Sequence, residues 1–338
     1  MAFSRFHTRI ATLVGLVILT TPAMAQTPAW NVPASGYVYD PLNRDIRPIA
    51  GFLGSAVLGS SVVGGIDWAS VAPNQNSALL QQGAAMVWIS SLAAPDQTQS
   101  LDGMPVTQQI LWASDSSRAV MLADRSRLVW LNGLNSPTAA APTWHVDTLS
   151  ALYGRGEGTT WSLLAADAAS DKVLLTSRSG SQRQLWMASA GKSPVLIPFS
   201  GQPAAAVFAA GGSTFFIADT AASQIVQFSG LGSAPLDSTM SSAPLLTSAL
   251  YVNDPAGLAL STDGSRLFIA DHATSIIRVF DSTSGTLISE LTSDAAPQAL
   301  TAFAPGIFLL NSGNLPPGPF LFLNTSSPSS VLFVPRGE

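Results

Sequence analysis

The sequence contains no cysteine, so disulfides, thiolate ligands and thiol nucleophiles play no part in this protein. Histidine is nearly as scarce, with only His7, His145 and His272. A zinc site of three or four Cys and His ligands is thereby excluded once the leader described below is set aside. Glutamate occurs three times, at Glu157, Glu290 and Glu338. Charged residues make up 10% of the chain, and the 15 basic against 20 acidic residues give a net charge of −5. Such a chain gains little from releasing phosphate counterions, which argues against a nucleic-acid partner. After residue 25 no apolar run reaches the roughly 18 residues of a membrane-spanning helix.

The first 25 residues read as a secretory leader. Arg5 and Arg9 give a basic start, an apolar stretch runs from Ile10 to Leu19, and Ala23-Met24-Ala25 is a small-x-small cleavage pattern. The mature chain is expected to span residues 26–338 as one domain, periplasmic or secreted, with no transmembrane segment. Removing Arg5 and Arg9 leaves 13 basic residues against 20 acidic, a charge of −7.

Short apolar runs punctuated by Gly, Pro, Ser, Asn and Asp predict an all-β protein. Two of these runs are near copies. Phe216-Ile217-Ala218-Asp219 is followed by Ile225 and Phe228, and Phe268-Ile269-Ala270-Asp271 by Ile277 and Phe280 at the same offsets. Five further copies start at Tyr37, Leu79, Met121, Leu174 and Phe308. The spacing, mostly near 42 residues, is that of a propeller blade. The pattern predicts seven four-stranded antiparallel blades, with each copy on the second strand of its blade. A four-stranded sheet with two apolar faces cannot bury both alone, whereas a ring of such sheets can.

Three features of the ring are less regular. The first unit has only Ala29–Val32 available as an inner strand. Val331–Val334 reads as an outer strand of the last unit, so separate blades and one shared by both chain ends fit equally. Two wider spacings place long loops at 135–159 and 230–251, and loops of that length often carry function.

The run from Asp254 to Asp271, continuing through Ile277-Arg278-Val279-Phe280-Asp281 and Ser284-Gly285, resembles the YVTN and NHL class of propeller repeat. The resemblance implies a bacterial exported propeller. That class includes binding scaffolds, lactone hydrolases and surface proteins, so it does not choose an activity.

Candidate chemistry is thin. Asp40, Asp124, Asp219 and Asp271, with Asn311, recur at strand ends. Read functionally, they are a carboxylate ring for a divalent cation such as calcium. Read structurally, each accepts hydrogen bonds from backbone N–H groups and fixes a turn. Glu157, within Gly154-Arg155-Gly156-Glu157-Gly158, and His272 are the candidate catalytic residues. Trp144, His145 and Arg155 are the candidate binding residues in the first long loop. Trp88, Trp130 and Trp186 on third strands, and Trp68, Trp112 and Trp161 on first strands, are expected to pack between blades rather than line a ligand site. The Gly-rich stretch lacks the Gly-Lys-Ser/Thr ending of a phosphate loop, and there is no Gly-x-Ser-x-Gly elbow.

The function expected from these residues is a cofactor-free, non-enzymatic scaffold. It binds a protein, peptide or glycan partner in the cell envelope through loops at one face. The alternative is a lactonase-like hydrolase using carboxylates and a divalent metal.

Overall fold

The computed structural model describes residues 34–135, 141–149, 159–169, 171–231, 240–247, 251–311 and 318–336. The leader, Ala29–Val32, Arg155 and Glu157 lie outside the described residues.

Seven four-stranded antiparallel sheets follow one another along the chain. Blade 1 holds β1 (Ala34–Asp40), β2 (Asp45–Ala50), β3 (Val57–Leu58) and β4 (Val63–Gly64). Blade 2 holds β5 (Trp68–Val71), β6 (Ala78–Gln82), β7 (Ala85–Ile89) and β8 (Thr98–Ser100). Blade 3 holds β9 (Thr107–Trp112), β10 (Arg118–Ala123), β11 (Arg127–Asn132) and β12 (Thr143–Thr148). Blade 4 holds β13 (Thr160–Ala166), β14 (Lys172–Ser179), β15 (Gln182–Ser189) and β16 (Val195–Ile197). Blade 5 holds β17 (Pro203–Phe208), β18 (Thr214–Asp219), β19 (Gln224–Ser229) and β20 (Ser241–Thr247). Blade 6 holds β21 (Pro255–Leu260), β22 (Arg266–Asp271), β23 (Ile276–Asp281) and β24 (Leu287–Thr292). Blade 7 holds β25 (Thr301–Ala304), β26 (Ile307–Leu309), β27 (Phe320–Asn324) and β28 (Ser330–Val334). The protein is a seven-bladed β-propeller.

Blade 6 shows why the strands are apolar at successive positions. On β22, Leu267 and Ile269 turn to one side and pack with Phe216 and Ala218 of blade 5. Phe268 and Ala270 turn to the other and pack with Leu321 and Leu323 of blade 7. All four β22 residues are fully buried, as a sheet covered on both faces requires. Seven such clusters fill the seven interfaces, including the one between blades 7 and 1. Each fully buried Phe or Leu is worth about 1.5–3 kcal/mol, so these interfaces replace the disulfides the chain lacks.

Six of the seven repeat copies fall on second strands, as expected. The first does not. Tyr37–Asp40 lies on β1, the innermost described strand of blade 1. β3 and β4 both pair with β2, at opposite ends of it, so blade 1 is three strand-widths deep. β1 also runs opposite to the inner strand beside it. Gly36 and Tyr37, at its start, approach Gln75 in the turn after β5. Arg44, just past its end, exchanges hydrogen bonds with Ile66, just before β5. The copy thus keeps the direction of a second strand while taking the channel-side place.

Ring closure needs no shared blade, because every described sheet consists of strands consecutive in sequence. Side chains join the ends instead. Arg336, its side chain 9% exposed, donates to Asp40 at 2.6 Å and to the Gly318 carbonyl at 2.7 Å, with its guanidinium 4.4 Å above the Phe320 ring. Gln75 of blade 2 accepts from Tyr37 N–H of blade 1 at 2.6 Å and donates to the Phe303 carbonyl of blade 7. Val331–Val334 lies on the outermost strand, as expected.

The two long loops are corrected. Each contains the fourth strand of its blade, β12 within 135–159 and β20 within 230–251. These strands escaped the pattern because they are sheet edges. β20 is largely exposed and carries Pro244, tolerated at an edge where a ladder donor is dispensable.

Candidate functional site

The strand-end acids lie around one mouth, where the inner strands of blades 2–7 begin, but Asp40, Asp219 and Asp271 are buried beneath it. Asp219 Oδ1 accepts from Gln202 N–H at 2.8 Å and from Ala221 N–H at 3.0 Å, while Oδ2 accepts from Gln224 Nε2 at 3.1 Å. Asp271 Oδ1 accepts from the backbone and hydroxyl of Thr274 at 3.0 and 3.1 Å. Its Oδ2 accepts from Asn253 and Asp254 N–H at 3.3 and 3.4 Å. Each carboxylate so ties the turn after the second strand to the segment entering the inner strand. Burial pushes the Asp271 carboxyl up, but the bonds from Thr274, Asp254 and Asn253 outweigh it and hold the pKa below the ordinary value.

Asp40 plays a related role with a charged partner, accepting from Leu42 N–H at 3.1 Å, Asn43 Nδ2 at 2.9 Å and Arg336. Asp124 departs from the set. It is half-exposed, sits at positive φ and pairs with Arg127. Asn311 accepts from Leu321 N–H at 2.8 Å and donates to the Pro319 carbonyl at 2.7 Å. Among the described residues, no three Asp, Glu or His side chains converge into a metal-holding group. The Arg336 guanidinium at Asp40, the hydrogen-bond donors at Asp219 and Asp271, and the buried Arg278 guanidinium 3.8 Å from Asp271 already engage these carboxylate oxygens.

The remaining candidates are spread apart. His272 is exposed, with Nδ1 donating to the Pro297 carbonyl at 2.9 Å. His145 Nε2 lies 2.7 Å from Asp147 Oδ1 on the outer strand β12. Asp147 Oδ2 also accepts from Trp130 Nε1 at 2.8 Å and from Gly191 N–H of blade 4 at 3.1 Å. This network docks a blade 4 turn onto the rim of blade 3. Trp144, next along β12, is 37% exposed.

A concave site does exist on the axis. The inner strands of all seven blades enclose a channel of about 790 Å3. This is within the usual range for ligand pockets. Its wall is uneven. Blades 1–3 contribute Tyr37, Tyr39, Trp68, Ser70, Gln75 and Gln109. Blades 4–7 contribute chiefly aliphatic groups such as Leu163, Leu164, Ala204, Ala205, Ala256 and Leu300. Two charged residues line it, Arg44 and Asp67, and they pair with each other. Asp67 also accepts from Gly83 N–H at 2.6 Å, and the Tyr39 hydroxyl donates to the Asp67 carbonyl at 3.0 Å. Burial raises the Tyr39 phenol above its ordinary pKa, so it remains a donor well above neutrality.

Trp68, expected among the tryptophans that pack between blades, does pack against the core between blades 2 and 3. Trp88, Trp130, Trp161 and Trp186 are buried between blades, and Trp161 stands 5.8 Å from Trp186. Trp68 is half-buried, and part of its surface also lines the channel.

No protein-family model matches this chain, and no curated protein matches it in sequence. Solved structures match in fold. A functionally unknown protein from Desulfotomaculum acetoxidans has 14% identity and a TM-score of 0.54, over 90% of this chain and 100% of that one. KlHsv2 with loop 6CD replaced by a Gly-Ser linker has 9% identity and a TM-score of 0.54, over 89% and 97%. Kuenenia stuttgartiensis hydrazine synthase has 9% identity and a TM-score of 0.51, over 88% and 91%. At these identities the likeness establishes architecture, and proteins of such different description share it. Among the described residues no helix is long and apolar enough to cross a membrane.

Proposed function

We propose that this chain is an exported propeller of the YVTN/NHL repeat class that binds rather than converts its partner. The binding site is the axial channel and the mouth where the inner strands of blades 2–7 begin. The partner is a protein, peptide or glycan of the cell envelope, engaged without a cofactor. The supporting observation is a division of labour among side chains. The buried strand-end acids Asp40, Asp219 and Asp271 are engaged in holding turns and the ring seam, whereas Trp68, Tyr37 and Gln109 contribute surface to one wall of the channel. The basic start and Ala23-Met24-Ala25 support export.

The test is purified chain 26–338 assayed with a panel of lactones and esters, with and without added calcium, and in parallel on immobilised envelope glycans and peptides. Saturable binding that is lost in Trp68→Ala, without hydrolysis, is the expected result. Saturable hydrolysis that survives removal of contaminating esterases overturns the reading in favour of the lactonase-like alternative.

A further inference from the structure

We infer that the channel takes an uncharged amphiphile, with a hydroxylated head on the wall of blades 1–3 and an aliphatic chain on the opposite wall. The inference rests on the reading that the channel is a binding site, and it names the ligand chemistry.

Charge is the first argument. Arg44 and Asp67 are the charged residues lining the cavity, and their mutual ion pair leaves its wall neutral. An ion entering this space gives up its hydration without an opposite charge to receive it, whereas a neutral molecule does not meet that cost.

The second argument is the distribution of side chains. Trp68 and Tyr37 are half-buried against the cores between blades 2 and 3 and between blades 1 and 2, and the part of each that lines the cavity gives aromatic surface for the apolar face of a sugar. Gln109 uses its Oε1 to accept from Leu163 N–H at 2.8 Å, and its Nε2 carries two further donors for hydroxyl groups. Across the channel the inner strands of blades 5 and 6 begin Pro203-Ala204-Ala205 and Pro255-Ala256-Gly257. Small side chains at these starts leave the axis open. Gly257 has a separate packing reason, since a Cβ there would meet Leu300 of blade 7 at 2.8 Å. Ala204 and Ala256 are both half-buried and line the cavity, so their methyl groups help make the surface along which an alkyl chain packs.

The experiment is calorimetric titration of chain 26–338 with octyl glucoside, held below micelle formation. Methyl glucoside supplies the head alone, 1-octanol the chain alone, and octyl sulfate a charged head on the same chain. Saturable 1:1 binding of octyl glucoside is expected, with each of the other three at least tenfold weaker. Ala256→Phe and Ala204→Phe, each checked for an unchanged circular dichroism spectrum and Tm, should weaken octyl glucoside at least tenfold by filling the channel. Octyl sulfate binding as tightly as octyl glucoside, or affinity unchanged in both folded Phe variants, overturns the inference. Mass spectrometry of the same mixtures separates the two proposals. Cleavage of the glucoside counts against the binding role and leaves the ligand chemistry standing. Absence of both binding and cleavage overturns the ligand chemistry and leaves the envelope-partner reading to its own test.

Discussion

Blades 6 and 1 solve the same problem with different materials. Blade 6 is a regular meander whose strand-end Asp271 is held by two backbone N–H groups of the entering segment and by Thr274 of its own turn. In blade 1 the strand-end Asp40 is held by Arg336, 296 residues further along the chain. Chain-local hydrogen bonds, with Arg278 as a looser countercharge, serve inside the ring, and a direct guanidinium bond from the far end of the chain serves at the seam. Both carboxylates are fully buried and each has a guanidinium nearby, Arg278 at 3.8 Å from Asp271 and Arg336 at 2.6 Å from Asp40, so what differs is how far along the chain their hydrogen-bond donors lie.

The largest expected effect comes from removing the seam partner. Arg336→Ala leaves the Asp40 carboxylate buried without its countercharge and removes the stack on Phe320. Breaking a buried pair in this way costs about 3–5 kcal/mol, read as a fall in the urea midpoint. Arg336→Lys should recover only part of it, because an ammonium cannot hold the Asp40 carboxylate and the Gly318 carbonyl in one planar fork. A loss below about 1 kcal/mol for Arg336→Ala would mean the hydrophobic cluster of blades 7 and 1 closes the ring unaided.

Asp271→Ala is the matching change in blade 6. It strands backbone donors at Asn253, Asp254 and Thr274, partly within reach of water at the mouth, and leaves buried Arg278 with Glu290 as its remaining countercharge. The expected cost is about 2–3 kcal/mol, with Asp271→Asn intermediate because an amide oxygen still accepts. If Asp271→Ala costs as much as Arg336→Ala, the distinction between local and long-range anchoring fails. Gln75→Ala should rank third, at about 1–2 kcal/mol. It removes one acceptor and one donor that together bridge blades 1, 2 and 7, and hydrogen exchange should quicken at Tyr37 N–H.

The same contrast explains what could be read in advance. Blade 6 was legible down to its strand ends, because apolar residues at successive positions followed by Asp repeat wherever a sheet is covered on both faces. The seam was not. Gln75 lies 228 residues from Phe303, and Arg336 lies 296 residues from Asp40. Neither belongs to a repeat, so no period announces it. The fourth strands β12 and β20 were lost inside apparent loops, since an exposed edge need not alternate. The channel wall was half legible. Trp68 was placed on a first strand, but which of its neighbours face the axis depends on how the blades are arranged around it. The strand-end acids were visible as a set, and their hydrogen-bond partners separate Asp124 from the rest.

The smallest expected effect tests the sign rather than the size of the comparison. Asp45, at the start of β2 in blade 1, has its carboxyl pushed up chiefly by burial, with Ser61 and Arg47 pulling the other way and Asp40 adding to the rise. Asp271 is held down. A group held down in the fold contributes stability above its unfolded pKa of about 3.9, and that contribution is lost as pH falls through the lower folded value. A group pushed up contributes below its unfolded pKa and loses that contribution as pH rises through the higher folded value. Asp271→Asn should therefore flatten the acid limb of the stability curve below about pH 4. Asp45→Asn should flatten a decline on the other side, above about pH 4, and change stability at pH 7 by less than about 1 kcal/mol, in the stabilising direction. Urea unfolding of both variants from acid to neutral pH reads the two limbs separately. Two variants shifting the same limb would show that Asp45, like Asp271, is held by its hydrogen bonds and not opposed by its burial.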